Sequence, residues 1–283
     1  MNKTFSAALL VAGALADFDL SEAYISRQLS ADAYCGWDNV LDHTFEQFAS
    51  GFVATKQFRD LITDSFGYIG YMPDNQTIYV VFRGSSNIQN WITNIDFTQT
   101  YYETWPECNC KVHSGFYASV QNMYGKILPE VQRLMTQLPF AKVRTTGHSL
   151  GGVQAQLTMM ELKKSGIDAT MTNFGQPRAG NLAYAEFSDS LIPDQYRMVH
   201  YQDEVPHLPP TAPIPYHHTA TEMYITVRDY QGEQDIHQCD GSGEDPNCMD
   251  QWGELHRSTD DHLIYLGCDM SCGQICPTSA FLQ

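Results

Sequence analysis

Gly147-His148-Ser149-Leu150-Gly151 sets a serine at the centre of a Gly-x-Ser-x-Gly pentapeptide. A serine held on a sharp turn between a strand and a helix projects its hydroxyl above a sheet, where a neighbouring base can make it attack an acyl carbonyl. The flanking glycines are expected to tolerate a strained backbone and to let the helix pack closely. Both neighbours of the motif have the required character. Lys142-Val143-Arg144-Thr145-Thr146 is short and β-branched, and Val153, Leu157 and Met160 recur at helical spacing before Lys163, Lys164 and Gly166 close the segment. Ser149 is the candidate nucleophile.

Acyl transfer by a serine needs a base, an acid that orients the base, and donors for the oxyanion. In an α/β-hydrolase layout the acid and then the histidine follow the serine, each on a loop at the carboxyl end of a strand. Asp203 directly follows the apolar strand-like run 196–201 and is the candidate acid. Asp189 and Asp194 sit in or just after a polar helical stretch, and Asp229, Asp235, Asp240 and Asp245 lie in late polar loops. Six histidines could serve as base: His207, His217, His218, His237, His256 and His262. His207 is only four residues from the acid, His217 and His218 stand at a strand entry, and His262 precedes the apolar run Leu263-Ile264-Tyr265-Leu266. Position leaves the choice among them open. One oxyanion donor is the N–H of Leu150. The other is expected from the loop after 76–82, where Arg83-Gly84-Ser85-Ser86 offers Ser85.

These groups need a scaffold of alternating strands and helices. Strands are expected at 52–58, 65–72, 76–82, 142–146, 169–173, 196–201 and 223–228, and helices at 18–34, from Val153 to Lys164 after the serine turn, and at 183–191. Phe116, Val120, Met123, Ile127, Val131, Leu134 and Leu138 form the stripe of one long amphipathic helix, which Pro129 should kink. The alternation means a largely parallel sheet with helices on both faces.

The bulk numbers agree with an exported enzyme. Lys3, the apolar run 5–16 and Ala14-Leu15-Ala16 read as a secretory signal peptide over 1–16, which leaves one domain over 17–283. No segment is long and apolar enough to span a bilayer. Thirty-three acidic against 16 basic residues give a net charge of −17, which excludes nucleic acid as a natural partner and disfavours anionic lipid. Eight cysteines in an exported chain favour disulfides over metal. A zinc site drawn from His237 and Cys239, or from the tail cysteines, is disfavoured on the same ground. Asp240, Glu244 and Asp245 lack calcium-loop spacing. Cys108-Asn109-Cys110 is too close-spaced for an easy mutual bridge. Asn75-Gln76-Thr77 is a glycosylation acceptor at an expected hairpin tip.

Together, Phe82-Arg83-Gly84-Ser85-Ser86, Asn90-Trp91, Val112-His113-Ser114-Gly115-Phe116, the serine motif, Phe174-Gly175-Gln176-Pro177-Arg178, Asp203-Glu204-Val205-Pro206 and Asp261-His262 resemble, in this order, the class 3 lipases of the α/β-hydrolase superfamily. The resemblance runs from about Tyr34 to Tyr265. It implies Ser149, Asp203 and His262 as the triad, Ser85 with Leu150 as the oxyanion hole, and no metal or organic cofactor. It also implies a helical lid over 86–97, with Ile88, Trp91, Ile92 and Ile95 as its apolar face and Trp91 foremost in meeting lipid. By the same resemblance Cys239 and Cys248 bracket a bridged loop, and Cys35 joins the tail cysteines. The implied activity is that of a secreted, monomeric triacylglycerol lipase working at an oil–water interface. A phospholipase or a plain carboxylesterase on the same frame is the alternative, and a non-catalytic binding protein the remote one.

Overall fold

The computed structural model describes residues 18–36, 38 and 40–276, so the expected leader at 1–16 lies outside the described residues. Along the chain run α1 (Leu20–Asp32), β1 (Val53–Asp60), β2 (Ser65–Met72), β3 (Thr77–Phe82), α2 (Ile88–Asn94), β4 (Gln99–Tyr101), β5 (Lys111–His113) and α3 (Ser114–Gln137). They are followed by β6 (Lys142–Gly147), α4 (Leu150–Lys164), β7 (Ala169–Phe174), α5 (Leu182–Leu191), β8 (Gln195–His200), β9 (Glu222–Ile225), β10 (Ile236–Gln238), α6 (Thr259–His262), β11 (Ile264–Tyr265) and β12 (Cys268–Asp269).

Eight strands form one sheet in the order β1-β2-β3-β6-β7-β8-β9-β10. From β3 to β9 every neighbouring pair is parallel, while β1, β2 and β10 add antiparallel edges. Strands β3, β8 and β9 are buried along their whole length, as strands covered on both faces must be. The period-two alternation of β3 divides the core. Ile78, Val80 and Phe82 face a cluster shared with Val120 and Met123 of α3 and Leu157 of α4. Tyr79 and Val81 face the other side, with Leu29 of α1. Helices thus cover both faces of the mostly parallel sheet, which is an α/β-hydrolase architecture.

Register fixes which loops meet. Phe82 lies beside Gly147, so β3 and β6 end together, and antiparallel β2 starts at that same end, opposite Phe82 at Gly67. The β1–β2 turn therefore lies at the carboxyl end of the parallel strands. The β2–β3 turn, with exposed Asn75, lies at the other end.

Helix α3 runs as one helix through Pro129 to Gln137. One pairing differs from the sequence expectation. Cys108 and Cys110 are bridged to each other, which corrects the expectation from their spacing. Asn109 adopts a left-handed conformation with φ 49°, and this brings the two Cα atoms to 5.1 Å, inside the bridging range. The other bridges are Cys35–Cys272, Cys239–Cys248 and Cys268–Cys276.

The long helix α3 starts on an unusual cap. His113 Nδ1 accepts from the N–H groups of Gly115 and Phe116 at 3.1 and 3.3 Å, so that nitrogen must keep its lone pair. Burial pushes the His113 imidazole down to about 4, from an ordinary 6.5. The unfolded chain takes up a proton below pH 6.5 that the folded ring refuses until about pH 4. Native stability is therefore lost as pH falls through that window, by up to about 3 kcal/mol from this group. His113→Asn keeps an acceptor at the cap. Unfolding midpoints measured from pH 7 to pH 4 should decline less steeply in that variant, with buried His148 and His218 retaining the remaining acid sensitivity.

Candidate active site

Strand β6 ends at Gly147 and α4 begins at Leu150, leaving Ser149 on the turn with φ 59° and ψ −130°. The strain sits on the serine itself, and its N–H is tied to the carbonyl of Phe174 at 2.9 Å. The motif glycines serve close approach rather than unusual dihedrals. A Cβ on Gly147 would lie 2.3 Å from the Gly151 backbone, and one on Gly151 would lie 2.4 Å from the Phe82 carbonyl oxygen. Helix α4 can therefore pack directly over the ends of β3 and β6.

Asp203 stands in the turn after β8, fully buried, and His262 closes α6 fully buried beside it. The His262 Nδ1–H donates to the carboxylate, at 2.8 Å from Oδ2 and 3.0 Å from Oδ1. The Tyr265 hydroxyl donates to Oδ2 at 2.5 Å, and the Val205 N–H to Oδ1 at 2.8 Å. Burial alone would raise the Asp203 pKa, but the His262 ring, the Tyr265 hydroxyl and the Val205 N–H together hold it below the ordinary carboxylate value. The acid stays ionised. With its hydrogen on Nδ1, His262 presents a bare Nε2.

Among the described residues, neither buried His262 Nε2 nor buried Ser149 Oγ has a hydrogen-bond partner, so the serine and the histidine are not bonded to each other in this state. Both line one cavity of about 190 Å³, together with Tyr34, Ser85, Ser86, Ile88, His148, Leu263 and Met270. Apo geometries of catalytic hydrogen bonds are commonly loose and tighten on substrate. Ser85 reaches this cavity from the loop after β3, and its hydroxyl is engaged with Asn87 at 3.3 Å. Leu150 supplies the first N–H of α4, beside the serine.

Three contributors have roles that motif reading does not assign. Gly175 has φ 56°, and a Cβ there would lie 2.8 Å from both the Asp203 carboxylate and the His262 ring. Tyr265 sits in a run that reads as plain core. His148 stacks on His262 with ring centroids 4.4 Å apart, and burial, then the His262 ring, push its pKa well down. Its Nε2 faces the His262 carbonyl oxygen at 2.8 Å, and its Nδ1 faces the Tyr34 hydroxyl at 2.7 Å. A carbonyl can only accept, so Nε2 carries the hydrogen and Tyr34 donates to Nδ1. No pattern in sequence announces such a chain of contacts.

The other histidines are occupied elsewhere. His207 Nδ1 lies 3.5 Å from Asp250, His217 Nδ1 bonds the His218 carbonyl, and His218 Nε2 bonds the Pro206 carbonyl. His237 and His256 are exposed. Asp189 accepts from the Ala220 N–H. Among the described residues, two side-chain groups have metal-like spacing, Asp32 with Cys35 and His43, and Glu222 with Cys239 and Cys248. All their cysteines are in disulfides and offer no thiolate. A larger acidic cavity of about 480 Å³, lined by Asp32, Asp42 and Glu46, holds none of the triad.

Helix α2 borders the serine cavity through Ile88. Asn87 caps it by accepting from the Asn90 N–H, and none of its residues is fully buried. Ile88 faces the serine cavity, Trp91 stacks on Phe116 at 6.3 Å, and Ile95 packs on the same core. Ile92 is half-buried. Beneath it, Trp91, Ile95, Phe116 and Leu150 line a mostly apolar space of about 270 Å³. Gln89 holds the helix to Thr259 by one hydrogen bond of 2.6 Å.

The profile of the lipase (class 3) family matches residues 79–212. The lipase of Rhizomucor miehei is 31% identical over 261 residues, which are 88% of this chain and 69% of that one. This chain belongs to the class 3 lipase family. The lipase of Rhizopus niveus is 35% identical over 214 residues, and there the match spans 74% of this chain but only about half, 52%, of the relative. The crystal structure of the lipase from Rhizopus microsporus var. chinensis superposes with a TM-score of 0.78 at 34% identity, over 88% of each chain. Among class 3 lipases, then, this one has the α/β-hydrolase frame expected from its motifs. No helix among its described residues is long and apolar enough to cross a membrane.

Proposed function

We propose that this class 3 lipase is a serine ester hydrolase that cleaves triacylglycerols at an oil–water interface. One observation carries the reading: the bare His262 Nε2 and the unpartnered Ser149 Oγ face a common cavity, with ionised Asp203 behind the histidine. In this reading His262 Nε2 takes the Ser149 proton as Oγ attacks the ester carbonyl. The N–H groups of Ser85 and Leu150 receive the oxyanion, and Asp203 stabilises the imidazolium. His262 then gives its proton to the leaving glycerol oxygen, and a water activated by the same nitrogen releases the fatty acid.

The lid role of 86–97 rests on Ile88 lining the serine cavity and on the lack of buried residues in α2, which Gln89 ties to Thr259 while Tyr216 holds the Phe97 carbonyl at the segment's end. Export of a mature chain 17–283, folded as one domain and acting as a monomer, is the accompanying reading. Four disulfides support it, since such bridges persist in oxidising compartments.

Rates on tributyrin, measured across its solubility limit, test the reading. We expect a jump of several-fold once droplets form. Smooth saturation would instead favour a carboxylesterase without a working lid, and failure to cleave any ester would end the hydrolase reading.

A further inference from the structure

We propose that the chain docks on a neutral lipid surface through aliphatic anchors outside helix α2, with Leu61 and Ile62 at the tip of the β1–β2 turn as the foremost pair. The inference rests on the lipase reading above and extends it to the surface that adsorbs first.

Leu61 is 75% exposed and Ile62 87% exposed, side by side. Two adjacent aliphatics on a turn are costly to leave in water, and this turn is braced to present them. Asp60 beneath is buried and accepts from the Ile62 N–H at 3.1 Å, the Thr63 hydroxyl at 2.8 Å and the Asn122 amide at 3.1 Å. Asp64, the other carboxylate of the turn, is paired with Arg83 at 3.3 Å. Asp60 is thereby engaged beneath the tip, while Asp64 keeps an exposed carboxylate at its edge with Arg83 as counterion, leaving Leu61 and Ile62 as the adjacent apolar groups of the turn. Its position is set by the sheet register, at the end where β3 and β6 finish. Thr63 also lines the apolar space beneath α2, with Trp91 and Ile95.

Two other segments flank the same helix. Leu255 is 96% exposed, on the turn leading to Thr259, which holds Gln89 of α2. Leu263, also exposed, lines the serine cavity. Apolar groups so placed around a substrate mouth mark a contact face rather than scattered surface residues. The net charge of −17 selects the occupant: a neutral oil surface takes the aliphatics without like-charge repulsion, which an anionic bilayer would impose. Adsorption and the displacement of α2 become separate events, the first carried by rigid turns and the second by the helix.

The test is adsorption to triolein droplets stabilised by a zwitterionic phospholipid, measured with the full chain carrying Ser149→Ala so that no turnover intrudes. Adding Leu61→Ser with Ile62→Ser should weaken adsorption by roughly tenfold or more, from the apolar area withheld. Phe140→Ser is the control. That residue is 87% exposed, as much as Ile62, but it precedes Lys142 at the opposite end of β6, and its loss should leave adsorption unchanged. Unchanged adsorption of the paired variant, or an equal loss in Phe140→Ser, would overturn the proposal. So would a parent dimer that the pair dissolves while adsorption stays the same. Thermal unfolding reports whether the paired variant folds. If it does not, Leu255→Ser, on a separate turn, should weaken adsorption about threefold, and no change there overturns the proposal too. Strong adsorption of the Ser149→Ala chain, together with no ester hydrolysis by the chain that keeps Ser149, would refute the lipase reading and leave the anchors standing.

Discussion

Ser149→Ala should lower kcat for ester hydrolysis on the order of 10⁵-fold or more, with the fold intact. In the proposed mechanism the alanine removes the atom that forms the acyl-enzyme, and the neighbours lose little, because Ser149 Oγ has no hydrogen-bond partner among the described residues. The backbone tie from Ser149 N–H to the Phe174 carbonyl survives the change. Covalent labelling by a fluorophosphonate, counted by intact mass, should fall from one group per chain to none. Unaltered labelling or turnover would move the nucleophile elsewhere and dissolve the proposed mechanism.

Asp203→Asn should cost about 10⁴-fold in kcat while leaving the backbone where it is. The carboxylate accepts the His262 Nδ1–H and so keeps Nε2 bare. An asparagine keeps an oxygen at only one of the two carboxylate positions; with that oxygen on the Val205 N–H, its NH₂ takes the other position and faces His262 Nδ1 and the Tyr265 hydroxyl. The imidazole must then place its hydrogen on Nε2, and a protonated nitrogen cannot take a proton from the serine. Burial makes the loss severe, since the fully buried amide at position 203 and His262 Nδ1 face each other with little competition from solvent. The substrate KM should change much less than kcat. A fall of under tenfold in kcat would show that another group orients the base.

Much of this site is legible in the chain because its parts are tied to local patterns. Ser149 announces itself through a strand, a turn and a helix that follow within a few residues, and the β-branched and 3.6-residue periods around it are those the elements keep in the fold. Asp203 is found because it directly follows β8. His262 is different. Five other histidines satisfy the order of the motif, and only the convergence of a late loop on the β8 turn separates them, a contact across 59 residues that no local period encodes. The resemblance to a family supplied that choice. Tyr265, Tyr34 and His148 went unassigned for the same reason, since each acts through a partner distant in sequence. The glycines of the serine motif carry a further lesson: their letters are right, but the need they meet is room between backbones, while the serine bears the unusual dihedral. The Cys108–Cys110 bridge could not be read from spacing because it depends on one left-handed residue between them.

The sheet register has one more consequence. Asn75 lies on the turn between β2 and β3, at the strand ends remote from Ser149, exposed, with its Nδ2 donating to the Tyr79 hydroxyl at 3.1 Å. Strand β3 alone is six residues long, or roughly 20 Å. A glycan on that asparagine would stand on the wet pole of the molecule, shielding the side away from oil and leaving the approach to the ester clear.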